Sequence, residues 1–191
     1  MITNALSFLL HTLLGLFTLA VLLRFYLQLT GAPFQNPASQ AVVALTNFAV
    51  KPLRRIVPGW RGLDLSTLLL AFVGQLLLQL GLLWLHDFPL MVAGHVVWGV
   101  LLGLAAVGVL KLSIYIFLYA VLLQAILSWV NPHTMITPVL NALTNPLLRP
   151  LRKRISTAGG IDLTPLIVFI VAEMLLIIVV APLEQQLLRV F

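Results

Sequence analysis

Leu45-Thr46-Asn47-Phe48-Ala49-Val50-Lys51-Pro52-Leu53-Arg54-Arg55 opens a stretch, residues 45 to 68, that returns without a gap at 143 to 166. The second copy begins Leu143-Thr144-Asn145. It carries Pro150-Leu151-Arg152-Lys153 and Gly160-Ile161-Asp162-Leu163-Thr164 where the first has Pro52-Leu53-Arg54-Arg55 and Gly62-Leu63-Asp64-Leu65-Ser66. The offset is 98, ten of the 24 paired positions are identical, and five more keep their chemistry. The chain is therefore two copies of one unit, and any fold assigned to one copy has to serve the other.

The solvent for these units is a bilayer. With 61% hydrophobic and 8% charged residues over 191 positions, the chain is too apolar for a soluble domain of its size. It contains no cysteine, which excludes disulfides, thiolate metal sites and cysteine nucleophiles. A net charge of +6 raises nucleic acid as a partner, but in a membrane chain the placement of the charge along the sequence decides more than its sum.

Upstream of the first copy, residues 6 to 29 are an apolar run long enough to cross a ~30 Å hydrocarbon core at 1.5 Å per residue. Met1-Ile2-Thr3-Asn4 lacks the positive charge of a secretory signal, so the run is expected to be a spanning helix. Asn36-Pro37 then offers an amide cap with proline in the first turn. The helix it starts is short and ends in basic residues, as suits a piece lying in the membrane interface. A helix packed in a cytoplasmic lobe is the plainer reading. Asp64-Leu65-Ser66-Thr67 opens a second span, about 65 to 85, closed by Trp84 and the turn His86-Asp87-Phe88-Pro89.

The same order recurs as a span of about 112 to 130, an interfacial helix from Thr137-Pro138, basic residues, and a last span of about 163 to 183. This gives a first repeat over 1–90, an apolar glycine-rich connection over 91–111 and a second repeat over 112–191. The fold class is all-α and polytopic: two parallel two-span repeats, each with a short interfacial amphipathic helix, and an extra apolar segment at 96–110. Gly99 and Gly103 there have the small-xxx-small spacing of close helix packing.

Charge sets the orientation. Lys51, Arg54, Arg55 and Arg61, with Arg149, Arg152, Lys153, Arg154 and Arg24, make nine of the eleven Lys and Arg residues, and the positive-inside rule assigns all nine to the cytoplasm. A separate crossing at 96–110 would throw the second cluster outside. Four crossings are therefore expected, with 96–110 either an outer extension of the third helix or a re-entrant piece.

Ionisable groups at membrane depth are functional candidates by default. Glu173 falls near the middle of the last span, and Gln75 stands at the matching position of the first repeat. One reading is a polar path with Glu173 titrating in it; the other is that Glu173 hydrogen-bonds Gln75, Gln79 or Gln124 and holds helices together. His11 and Lys111 form a second matched pair, expected toward the outer ends of their spans. Arg24, at the cytoplasmic end, is placed to pair with Asp64 or Asp162. The plainer role of each aspartate is to cap its helix.

The basic clusters suit anionic lipid of the cytoplasmic leaflet or an acidic partner protein. No aromatic interleaving or recognition fold supports nucleic acid. There is no HExxH, Walker loop, GxSxG elbow or carboxylate pair, so neither enzyme chemistry nor a metal or cofactor is expected.

The doubled pattern of proline, Leu-Arg-Arg, a Pro/Gly linker and Gly-[Leu/Ile]-Asp-Leu-[Ser/Thr] resembles the YggT family of bacterial inner-membrane proteins. It is preceded by Arg24-Phe25-Tyr26-Leu27-Gln28 in one copy and by Gln124-Ala125-Ile126-Leu127-Ser128-Trp129 in the other. The resemblance covers nearly the whole chain, and single-unit relatives agree with a two-span module. It implies an inner-membrane protein linked to osmotic-stress tolerance and, through neighbouring genes, to cell division; chloroplast relatives are linked to cytochrome b6f haem assembly and nucleoid organisation. It carries over no catalytic residue. Two departures, Phe48 against Pro146 and Ser156 against Pro58, set the two units apart.

Two functions follow as expectations. One is a non-enzymatic scaffold or assembly factor holding anionic lipid and a partner protein, with a homo-oligomer left open. The other is a small channel or transporter with Glu173 and Gln75 in its path.

Overall fold

A computed structural model describes residues 1–60, 62–86, 96–155 and 162–189, and among them there are helices and no strands. In chain order these are α1 (Ile2–Leu29), α2 (Pro37–Ile56), α3 (Leu65–Leu85), α4 (Val96–Val130), α5 (Thr137–Arg152), α6 (Thr164–Leu175), a π-helical turn (Leu176–Val180) and α7 (Ala181–Leu188). Among the described residues four helical rods are long and apolar enough to cross a membrane: α1, α3, α4, and α6 with its continuation to Leu188. The molecule is an all-α polytopic membrane protein of two parallel two-span repeats.

Local chemistry places the helix ends. The carbonyls at the end of α1 are closed by bonds from Gly31 N–H to the Gln28 carbonyl at 3.2 Å and from Ala32 N–H to the Leu27 carbonyl at 2.9 Å. This Schellman pattern needs a left-handed residue, and Gly31 supplies it at φ +66°. Asn36 then caps α2, its side-chain oxygen accepting from Ala38 N–H at 3.0 Å. Asp64 caps α3 more loosely, Oδ1 to Thr67 N–H at 3.4 Å.

Residues 96–110 are continuous with the third span: α4 runs 35 residues. At 1.5 Å per residue that is roughly 52 Å, well beyond a ~30 Å core, so the helix has to tilt or project from it. Its first half is packed rather than free, with Val100, Leu101 and Leu104 buried against Leu83 of α3 and against Leu187 of α7. Lys111 consequently sits mid-helix rather than at an outer end. Of the two spaced glycines, Gly103 abuts Leu187 while Gly99 faces open space, so close packing uses Gly103 and, beyond it, Gly108.

The last rod has a stripe of buried residues at every fourth position: Thr164, Val168, Ala172, Leu176 and Val180. At 3.6 residues per turn such a stripe drifts round the helix, and the wider π-turn at 176–180 brings it back towards α4. Pro182, which cannot donate to the ladder, follows directly, where a local π adjustment relieves it.

The repeats differ in how tightly their spans pair. Gly74 and Gly81 let α3 approach α1 so closely that a Cβ on Gly74 would lie 2.5 Å from Thr18 Oγ1, and one on Gly81 would lie 3.1 Å from Leu10 Cδ1. The corresponding residues of the second repeat are Ala172, which is buried on α6, and Val179, which is exposed, so the second repeat has no such glycine pair. Between the units, Leu27 and Ala32 pack with Ala120, Val139, Leu140 and Leu143, and the Tyr26 and Phe117 rings meet edge-on at 4.7 Å.

Candidate functional site: the basic end of the two repeats

The doubled motif folds into the same ion pair twice. Arg54 donates to the Asp64 carboxylate through Nε, at 3.0 Å to Oδ2, and through Nη2. Arg152, 98 residues on, donates through Nε to Asp162 Oδ2 at 2.8 Å. Each pair ties the last turn of an amphipathic helix to the start of the following span, across a glycine-containing linker that carries a proline, Pro58, only in the first copy. Arg54 and Arg152 are thus paired with the carboxylates of their own units.

A second tie joins each leading span to its amphipathic helix. Arg24, 5% exposed, bonds through Nη1 to Thr46 Oγ1 at 2.9 Å and Asn47 Oδ1 at 3.0 Å, and reaches the Val43 carbonyl at 3.5 Å. It bonds neither aspartate. Asp64 is already held by the nearer arginine, and the oxygens of α2 satisfy this buried cation. In the second repeat Gln124 takes the place of Arg24. Its Nε2 donates to Asn141 Oδ1 at 2.6 Å, and its Oε1 accepts from Thr144, the counterpart of Thr46.

The two ion pairs are closed to different degrees. Asp64 is 3% exposed, and Arg54 Nη2 also donates to Gln28 Oε1 at 3.1 Å, which caps the pair from α1. Asp162 is 35% exposed. The residue in the place of Gln28 is Ser128, too short to reach. Burial would raise the Asp162 carboxyl, but hydrogen bonds from Thr164 and Arg152, together with the Arg152 charge, outweigh it and hold the pKa below its ordinary value of 3.8. Beside this open pair lies a cleft of about 650 Å³ between α4, α5 and α6, lined by apolar side chains such as Leu166 and Phe169 and by Gln124, Asn141 and Ser128.

Lys51, Arg55, Arg149, Lys153 and Arg154 are exposed and make no ion pair among the described residues. Arg61 lies outside the described residues. The linker of the second repeat, with Ser156 and Gly160, lies outside them too.

The intramembrane polar residues do not converge. Gln75 is buried with its amide against Gly108 of α4. Glu173 is half-buried on α6, and no hydrogen bond joins it to Gln75, Gln79 or Gln124 among the described residues. His11 is exposed on α1. Lys111 pairs with Glu184 of α7, its Nζ at 3.0 and 2.9 Å from the two carboxylate oxygens. Glu184 was not singled out from the sequence. The signal was a lone lysine in an apolar helix, which calls for a counter-charge, and α7 carries the only other carboxylate of the second repeat besides Asp162 and Glu173. Among the described residues no group of histidine, cysteine and carboxylate side chains is placed to hold a metal.

The sequence model of the CCB3/YggT family matches residues 3–85 and 103–183, one segment on each repeat. The chain belongs to the CCB3/YggT family. CCB3/YggT relatives align along nearly the whole chain. An uncharacterised protein of Pseudomonas aeruginosa is 37% identical over 184 residues, 94% of this chain and 90% of its own length. The uncharacterised protein YggT of Escherichia coli K12 is 35% identical over 167 residues, 86% and 83%. An uncharacterised protein of Vibrio alginolyticus is 36% identical over 169 residues, 87% and 89%. None of these three names states an enzymatic activity. No solved structure matches the chain.

Proposed function

We propose that this protein is a non-enzymatic inner-membrane scaffold or assembly factor, with its basic end in the cytoplasm against anionic lipid and an acidic partner protein. The observation that supports the reading is the division of labour among the cations. Arg24, Arg54 and Arg152 are consumed by internal bonds, whereas Lys51, Arg55, Arg149, Lys153 and Arg154 stay exposed at the same end of both repeats. Five exposed cations at a headgroup boundary attract anionic lipid by ~1 kcal/mol each and present an unneutralised surface to an acidic protein. Osmotic-stress tolerance and envelope or division processes are the settings suggested by the family resemblance.

The channel reading has less support. Gln75 is packed against Gly108, and Glu173 lies on another helix with no bond between them. One experiment separates the two. The five exposed cations are changed to glutamine, with Arg54 and Arg152 kept so that the fold is intact, and the protein is crosslinked in its native membrane. Loss of the partner adduct in this variant, with the adduct kept in Glu173→Gln, is the expected result. Solute flux in proteoliposomes that depends on Glu173 would favour the channel instead.

A further inference from the structure

The two copies of the Arg–Asp pair are not equivalent, and the difference lies where a ligand would be held. In the first unit Gln28 closes over Arg54, and Gly74 and Gly81 draw α1 and α3 together. In the second, two substitutions act in one direction. Ser128 leaves the Arg152 terminal nitrogens without the bond that Gln28 gives Arg54, and Ala172 stands on the buried face of α6 where α3 has Gly74. At this open pair, with Ser128 in its lining, lies the 650 Å³ cleft, within the ~300–1,000 Å³ of small-molecule sites, with Arg152 at one end and Leu166 and Phe169 along its wall.

We infer that this cleft is a site for one anionic phospholipid, its phosphate on the Arg152 guanidinium and an acyl chain along α4 and α6. The chemistry of the walls selects the occupant. Leu166, Phe169 and Leu122 are apolar, and α4 and α6 are spanning helices, so the cleft opens to the bilayer, where the abundant apolar ligand is an acyl chain. At the polar end the guanidinium keeps its Nη donors for a planar pair of oxygens, and a phosphate oxygen pair suits that fork. Asn141, whose amide oxygen is taken by Gln124, keeps its Nδ2 donors in the cleft lining for a glycerol or ester oxygen. Asp162 also lines this end and is neutralised by Arg152, and Arg149 and Lys153, exposed nearby in sequence, leave the end with a positive balance.

The inference deepens the proposed lipid-binding face and rests on that reading for its orientation. It is more specific in claiming a single saturable site in the second unit and none in the first. On this account the first copy is a closed latch that orders the fold, and the second is the same latch opened to admit a ligand.

Native mass spectrometry of the protein released from detergent micelles tests it, with phosphatidylglycerol or phosphatidylcholine titrated in. One phosphatidylglycerol per chain should be retained saturably, with about tenfold preference over phosphatidylcholine, a difference of ~1.4 kcal/mol. Ser128→Gln, which restores the closing side chain of the first unit and leaves the ion pair intact, should weaken this first lipid about tenfold or more. Arg152→Gln should remove the preference for the anionic headgroup. Lys51→Gln with Arg55→Gln, in the first unit, should leave the site unchanged, and excess inorganic phosphate should not displace the lipid.

Equal binding of the two lipids, two equivalent sites, or unaltered binding by Ser128→Gln would overturn the inference. Displacement by inorganic phosphate would overturn the lipid assignment. The general reading fails on a different result: a partner adduct that survives neutralisation of the five exposed cations, whatever the state of the single-lipid site.

Discussion

At the scale of residues, the informative comparison is between two aspartates in the same motif. Asp64 is buried and receives two donors from Arg54, so Asp64→Asn leaves a guanidinium facing a neutral amide and should cost ~2 kcal/mol, with a matching drop in the thermal midpoint in detergent. Asp162 is a third exposed, and Asp162→Asn should cost under ~1 kcal/mol. Its pH behaviour has a definite sign. Because the folded carboxyl titrates below its ordinary value, its contribution is fully present above about pH 4 and is lost as pH falls through the folded pKa. The acid limb of the stability curve, followed by thermal unfolding below about pH 4, should therefore be shallower in Asp162→Asn than in the parent. The Arg–Asp spacing of ten residues, present in both copies, was visible in the sequence. Its meaning was hidden because Arg24 stands at the same depth and offered itself as the partner; only the fold shows that Thr46 and Asn47 already satisfy it.

At the scale of elements, the helix boundaries that depend on local chemistry were legible. Asn36-Pro37 starts α2, Asp64 starts α3, and the apolar runs give α1 and α3 close to their observed limits. What escaped was longer in range. Lys111 reads as a break between two apolar pieces, yet α4 passes through it, and Glu184 on α7 supplies the counter-charge for this part-exposed lysine. The π-turn was hidden for a similar reason: it answers both to Pro182 and to a stripe of five buried residues, one at every fourth position, whose partner helix is far away in sequence.

Glycine positions show the same division. Gly99 and Gly103 share a recognisable spacing, but only contact decides which one matters. Gly74→Leu should wedge α1 from α3 at a cost of ~1–3 kcal/mol, whereas Gly99→Leu, with nothing within 4 Å, should stay within about 0.5 kcal/mol of the parent. Thermal unfolding of the two variants in the same detergent checks this difference.

At the scale of the whole molecule, duplication does two things. It repeats a hinge of amphipathic helix, proline break, basic cluster and capping aspartate, and it turns both copies the same way, so their exposed cations combine into one face. Divergence then gives each copy its own task, a tight latch in the first and an open cleft in the second. The parallel arrangement was legible because basic residues are confined to the two copies of the motif. The asymmetry was not, since Gln28 against Ser128 and Gly74 against Ala172 look like neutral drift until the helices they separate are in place.

The shared face is also the claim most directly open to test. The chain has no cysteine, so single cysteines introduced as Arg55→Cys, Lys153→Cys and His86→Cys can each be probed with a membrane-impermeant maleimide. Arg55→Cys and Lys153→Cys should both label in inverted vesicles and not in spheroplasts, with His86→Cys labelling the opposite way. Labelling of Arg55→Cys and Lys153→Cys from opposite sides of the membrane would contradict the parallel repeats and, with them, the single basic face.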